Sequence, residues 1–404
     1  LKNRDGKLLF PQDVDKEKWR IAAEYADEAI LYLEGQGYKL FQGTTTESTP
    51  LLNTMRDLEL SQWAVSDMNP TSESIMLVAS ANLFCQELLP RLGNSSSDPY
   101  YSSILFGDLG TNIKMVNKYY TANGLPIEED KTWKYGNGYT MAQEKDPAYT
   151  NVIPLGEDVL SLHLQREPRF YASIAAPGLY WKLGNSSAEN FLVDSRQGGL
   201  FGLKKDRVDA SVSQNITGYY VKKGTRSDCA LNDYLTTMQA KVGKTAVVMR
   251  LAEIYLNAAE AWNEYEGPNG AHRDNIFNRL NDIRERAGIP TVQESWNKYG
   301  INSTKYNDQK GLRDIIHRER TIEFMFEGHR FWDIRRWGAG LTEGLNEKPL
   351  GWKVAGKTWR EFYNNYQGPV VVWNKASFDP SRDYFWPIRS EEVNISGIVQ
   401  NPGW

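Results

Sequence analysis

Between Arg313 and Arg336 the chain carries Arg318, Glu319, Arg320 and Glu323 at spacings that bring charged side chains together on a helix, with Asp333, Arg335 and Arg336 one segment further on. Acids and bases packed this densely could move protons. Hydrolysis of a glycosidic bond needs two carboxyl groups facing each other across a cleft, and Glu319 and Glu323 on one helix face do not make that arrangement. The seven residues therefore read as a semi-buried structural ion network joining the last helices to the irregular part. REPR at Arg166 to Arg169 reads the same way, its arginines paired with acids of the same turn. HExxH, G-x-S-x-G, P-loop and GxGxxG patterns are absent from the sequence. Cys85 and Cys229 are far apart and the four histidines are scattered, so neither a metal centre nor a disulfide framework is indicated, and no cofactor is expected.

Binding chemistry has better candidates. The chain holds 13 Trp, 22 Tyr and 14 Phe, many in Gly- and Asn-rich stretches. Flat rings stack on sugars while a few polar groups orient the hydroxyls. The expected ligand contacts are Trp63, Tyr100, Tyr101, Tyr135 and Tyr139 with Asn94 and Asp98. Trp133 and Asn137 are weaker candidates. A second aromatic group, Trp352 to Trp373, is read as an alternative site or a partner contact.

Helices must position these groups. RLAEIYLNAAEAWNEYEG places Leu251, Ile254, Tyr255, Ala258, Trp262 and Tyr265 on one face, and Gly267-Pro268 stops it. A second helix from about Asp274 carries Ile276, Leu280, Ile283 and Ala287 and ends at Gly288-Ile289-Pro290; the short loop between the two predicts antiparallel packing. The charged segment continues as a third helix with Leu312, Ile315, Ile316, Ile322 and Phe326 as its stripe and Gly328 as its C-terminal cap. An earlier helix starts after Asp15, has Trp19, Ala22, Ala23, Ala26, Ile30 and Leu33 as its apolar face, and has no nearby partner downstream, which suggests a partner upstream. Helical turns are expected near Leu51 to Leu60 and Thr111 to Tyr120, a turn at Asn123-Gly124, and a strand at GYYVKKG. From residue 338 onward the sequence reads as loops ending in a short extended segment and a Pro-Gly turn.

The 404 residues, 24% charged with a net charge of -4, have ordinary globular composition and lack the basic face that nucleic acid requires. No stretch approaches the roughly 18 apolar residues of a membrane-spanning helix.

RLAEIYLNAAEAWNE, Arg-Ala-Gly-Ile-Pro, RDIIHRERTIEFMFEGHRFWDIRRW and the terminal YFWPIRSEEV with QNPGW together resemble the SusD/RagB family of Bacteroidetes. KMVNKYYTANGLPIEEDKTW, LHLQREPRFYASI and TGYYVKK follow the family's order and spacing. The resemblance implies a mainly α fold of tetratricopeptide-like hairpins with a large loop-rich irregular part and few short strands. It implies one SusD-like unit over 1–404, lacking its N-terminal helices: a scaffold helix in 1–40, a loop-rich ligand-presenting part in 41–245, the hairpin and charged helix in 246–337, and an irregular part in 338–404. It further implies a lipid-anchored protein of the outer membrane's cell surface that captures a glycan, or in some members a peptide, and delivers it without catalysis to a SusC-like TonB-dependent transporter. GLPIEEDKTW matches the family framework, which makes Trp133 read as structural.

Overall fold

The computed structural model describes residues 14–44, 46–61, 72–79, 107, 109–184, 186–202, 215–225 and 245–404. Asp15 caps helix α1 (Lys16–Gly35) by accepting from the Glu17 amide, and Ala23, Ala26 and Ile30 are its buried stripe. That stripe packs on helix α5, introduced below, so the partner lies downstream after all, more than 200 residues away. Nothing local marks this pairing. It is secured by polar ties, Trp262 Nε1 donating to Asp27 Oδ2 at 2.8 Å and Tyr255 Oη to Glu34 Oε1.

The loop-rich part follows with α2 (Pro50–Leu60), β1 (Ser74–Ala79), α3 (Ile113–Lys118), β2 (Met141–Gln143), β3 (Asp158–Leu160), α4 (Pro168–Ser173), β4 (Ile174–Ala175), β5 (Tyr180–Lys182), β6 (Asn190–Leu192), β7 (Tyr220–Val221) and β8 (Thr245–Arg250). Its strands pair only two by two and antiparallel: β1 with β8, β2 with β3, β4 with β7, β5 with β6. Despite so little regular structure it has its own core, built on Tyr119, Phe170, Tyr171 and Tyr219 and shared with Trp352, Phe362 and Tyr363 from the C-terminal part.

Helices α5 (Leu251–Tyr265) and α6 (Arg273–Arg286) form the expected hairpin, with Ala258, Ala259 and Ala261 buried where the helices approach. A further helix, α7 (Val292–Tyr299), follows the breaker, started by a capping box of Thr291 and Glu294. The charged segment is not one helix. It is α8 (Gln309–Glu323) and α9 (His329–Arg336), separated by a turn in which Phe326 has φ 68° and Gly328 φ 87°. Gly328 is therefore the N-terminal flank of α9 and not the end of a continuous helix, and Phe326 leaves the core stripe for partial exposure. The physical cause is tertiary: Lys223 Nζ donates to the Glu323 carbonyl at 2.7 Å, taking the acceptor that a continuing helix would use.

The C-terminal part holds β9 (Leu350–Gly351), α10 (Trp359–Phe362), β10 (Val370–Val371) and α11 (Ser390–Ser396). The last replaces part of the extended segment read from the sequence. Trp404 docks by Nε1 on the Phe385 carbonyl at 3.0 Å.

The turn at Asn123-Gly124 links the two halves. Gly124 has φ 72°, its carbonyl accepts from Arg284 Nη2 of α6 at 2.8 Å, and a Cβ on it would collide with that same guanidinium. A left-handed backbone is costly for alanine, and here the collision adds to it. Gly124→Ala is expected to lower stability by about 2–4 kcal/mol in urea unfolding; an unchanged midpoint would show that the turn and Arg284 can part freely.

Candidate functional site

The charged residues of α8 and α9 fall into separate groups. Glu319 and Glu323, both buried, enter a cluster in which five carboxylates among the described residues (Glu73, Glu167, Glu319, Glu323, Glu327) meet five cations (Arg169, Arg250, Arg284, Arg286, Lys223). Glu323 Oε1 receives Arg250 Nη1 at 2.6 Å and Arg286 Nη2, and Oε2 receives Arg169 Nη1 at 3.2 Å. Glu319 takes Arg169 at 2.6 Å and Arg284 at 3.0 Å. Burial pushes the Glu323 carboxyl up, but Arg286, Arg250, Arg169 and Lys223 together hold it well below the usual carboxylate range. A carboxylate so saturated has no proton to give at neutral pH and no free lone pair aimed at a substrate.

Arg320 and Arg336 form a second group: both hold Asp333, at 2.8 and 2.7 Å, and Arg336 also holds Glu260 at 2.6 Å. Arg318 stands apart, donating to the carbonyls of Lys118 and Asn117 at 2.8 Å and to Glu128 at 2.9 Å. Arg335 is no member of either group: its guanidinium lies 3.6 Å from the Phe331 ring centroid and 5.2 Å from that of Trp386. In the REPR segment, Arg169 does pair with Glu167 at 2.7 Å, but Arg166 is buried and donates to the carbonyls of Val116, Tyr119, Tyr120 and Leu162, meeting no acid. It serves carbonyls at the ends of local turns in the core, of which Tyr120 also accepts from the Glu167 amide at 3.1 Å.

Of the expected ligand contacts, Trp63, Asn94, Asp98, Tyr100 and Tyr101 lie outside the described residues, as do Cys85 and Cys229. Tyr139 is half-buried, edge-on to Trp352 with ring centroids 5.8 Å apart, and packs on the core. In the second aromatic group Trp352, Phe362 and Tyr363 are core residues, which removes them as ligand or partner contacts; Trp373 is exposed. Sequence reasoning missed a surface group, Phe331, Trp332 and Trp386, with centroids 5.1–5.8 Å apart. Phe331 and Trp332 follow the break, on α9, and Trp386 comes from the terminal segment read as extended.

Tyr135 and Trp133 remain, and they come together. Their rings meet edge to face at 5.1 Å beside a hollow of about 240 Å³ lined also by Asn123, Asp130, Thr132, Lys134 and Gln165. Its floor is the buried Asp130 carboxylate, which accepts from Thr121 Oγ1 at 2.6 Å, Asn123 Nδ2 at 2.9 Å, and both Thr132 N and Oγ1 at 2.8 and 2.6 Å. Trp133 Nε1 donates to the Gly136 carbonyl at 3.0 Å, fixing the ring. Two partly exposed rings held rigidly beside a polar floor can stack on a flat apolar face and bond its polar rim. Among the described residues no group of His, Cys, Asp and Glu is arranged to hold a metal ion.

The model of the SusD family matches residues 87–404. The chain belongs to the SusD family. SusD-like protein P2 of Formosa agariphila is 31% identical over 160 residues, 39% of this chain and 26% of that protein. Among solved structures, BT4246 superposes with a TM-score of 0.76 at 22% identity, covering 100% of this chain and 66% of that one. A SusD-like carbohydrate binding protein (BF0978) from Bacteroides fragilis gives 0.50 at 19% identity, covering 93% and 63%. The chain thus spans just under two thirds of the length of these SusD-like structures, and its mainly α fold is theirs.

The buried charges of this SusD fold carry a pH signature. Burial raises the Glu327 carboxyl, but Arg250 and Lys223 outweigh it and hold it at about 2, against an ordinary 4.5. A depressed folded-state value stabilises the protein above 4.5, and the contribution is lost as pH falls from there toward 2. Glu327→Gln is expected to be less stable than wild type by on the order of 3 kcal/mol at pH 7, with the gap closing across that acid window in urea titrations. A gap independent of pH would place the loss in packing.

Proposed function

We propose that this chain is the ligand-capturing portion of a cell-surface protein that binds an oligosaccharide and passes it, unchanged, to a SusC-like TonB-dependent transporter of the outer membrane. Membership in the SusD family supports the reading, as does the structural neighbour described as a carbohydrate binding protein. The observation that carries it is the Trp133–Tyr135 pair beside the Asp130 floor. Stacking supplies affinity through dispersion and apolar burial, and the loop's hydrogen bonds keep the rings from having to be ordered on binding. Trp63, Asn94, Asp98, Tyr100, Tyr101 and Tyr139 stay proposed as further contacts, the last at the edge of the core.

A non-catalytic role fits the carboxylates near the helices. Glu319 and Glu323 each face two or more guanidinium groups, so the acid and nucleophile pair of a glycosidase is not formed there. Attachment to the membrane is proposed to run through a lipid on the N-terminal part of the full-length protein; among the described residues no helix is long and apolar enough to cross a bilayer.

Affinity electrophoresis and calorimetry of the full-length protein against a panel of polysaccharides and peptides test this. At least one glycan is expected to bind without being cleaved, and Trp133→Ala with Tyr135→Ala is expected to weaken it about tenfold while the protein stays folded by circular dichroism. Binding confined to peptides would move the reading to peptide capture. Turnover of a glycan would end the non-enzymatic reading.

A further inference from the structure

Strand β5 alternates: Trp181 is fully buried, while Tyr180 and Lys182 lie on the opposite face with partial exposure. Lys182 is the direct cross-strand partner of Asn190 on β6, so the two side chains stand next to each other on that outer face. Facing them, α2 presents Leu52, Met55, Arg56 and Glu59, the i, i+3, i+4, i+7 set of one helical face. Between the hairpin and the helix lies a hollow of about 270 Å³, which shares no lining residue with the Trp133–Tyr135 hollow.

The polar atoms around it are unevenly served. Arg56 is 7% exposed; its Nη2 donates to Asp57 at 3.1 Å, but Nη1 has no hydrogen-bond partner, the nearest carboxylate being Glu47 at 3.8 Å. Asn190 Nδ2 donates to the Asn151 carbonyl at 3.1 Å, which fixes the amide's orientation and leaves Oδ1 without a donor. A buried donor and a buried acceptor, on two residues that line one hollow, are thus both left unpaired by protein groups.

The charge balance narrows what can pair with both. Arg56, Lys182 and Lys222 are offset by Glu47, Asp57 and Glu59. An anion would satisfy Arg56 and Lys182 but face the Asn190 oxygen and two glutamates. A cation would satisfy Asn190, Glu47 and Glu59 but meet Arg56, Lys182 and Lys222. Hydroxyl groups both donate and accept, and adjacent hydroxyls on a pyranose can serve a cross-strand donor and acceptor at once, with the ring beside Tyr180.

We propose that the hollow between α2 and the β5–β6 hairpin is a second sugar pocket, specific for one uncharged pyranose unit, recognised by Lys182, Asn190 and Arg56 with Tyr180 as its apolar wall. The pocket works independently of the Trp133–Tyr135 hollow.

Saturation-transfer NMR on the full chain with methyl glycosides of neutral hexoses, and with glucuronic acid and glucosamine as charged controls, tests the assignment. The neutral glycosides are expected to receive saturation in the wild type and in the Trp133→Ala, Tyr135→Ala variant. Lys182→Met is expected to weaken the signal about tenfold, and Ser187→Trp, at the exposed rim, to abolish it; both positions are on the surface hairpin and the melting temperature is expected to hold. Transfer lost with the two ring substitutions but kept in Lys182→Met and Ser187→Trp would overturn the second pocket while sustaining the first. Preference for glucuronic acid or glucosamine, or no transfer to any neutral glycoside, would overturn it as well.

Discussion

Glu323 is a carboxylate removed from water and surrounded by guanidinium groups from three other parts of the chain. Arg169 comes from α4, Arg250 from the end of β8 and Arg286 from the end of α6, while Glu73 beside β1 faces Arg250 and Arg286, each at 2.7 Å. No one of these charges could be buried alone, since each would forfeit its hydration with nothing in return. They are tolerable only together. The strand pair β1–β8, the helical hairpin and the loop-rich core must therefore converge on one geometry, and Lys223 closes the cluster by binding both Glu327 and the last carbonyl of α8. The same bond ends that helix and sends α9 off in a new direction.

Periodicity made α5 and α6 legible, because a buried stripe repeats at the helix period whatever it packs against. It showed the charge of α8 but not its destination: the arginines on Glu323 are 37, 73 and 154 residues away. It also hid the break at Phe326, since the apolar and charged pattern continues across it while a tertiary bond decides the backbone. The partner of α1 was invisible for the same reason of distance. Helix α7 was different. Its capping box, Thr291 and Glu294, stands in the sequence and could have been read.

The site was less legible than the scaffold. Around Trp352 the sequence is rich in Gly, Asn and Lys and looks like surface, yet the ring is buried because its polar edges are all served: its amide by the Thr217 carbonyl at 3.0 Å and its Nε1 by Tyr219 Oη at 2.9 Å. Tyr219 Oη also lies within hydrogen-bonding distance of His163 Nε2, at 2.9 Å, and that ring is neutral. Burial and the nearby Arg166 enforce this by lowering the His163 pKa to about 3. Irregular backbone has no period to reveal which way a ring points, and such a chain of bonds, drawn from three distant segments, decides it instead. Phe331 and Trp332 illustrate the converse, large rings in a helix-like pattern that end on the surface.

Arg284 joins the two levels. On α6 it binds Glu319 of the buried cluster at 3.0 Å, and its other nitrogens reach the Pro290 carbonyl, Ser295 and the Gly124 carbonyl, each at 2.8 Å. Gly124 follows Asn123, whose amide holds Asp130 and Thr132, the residues from which Trp133 departs. A loop tied here, by Arg318 on Glu128 and by the Lys131 amide on the Tyr299 carbonyl, to the helices beside it presents its rings with their positions already fixed. A ligand at the proposed site would bind without most of the ordering entropy that a free loop would lose. The buried charges of this fold thus reach, through Arg284, the loop that carries Trp133 and Tyr135.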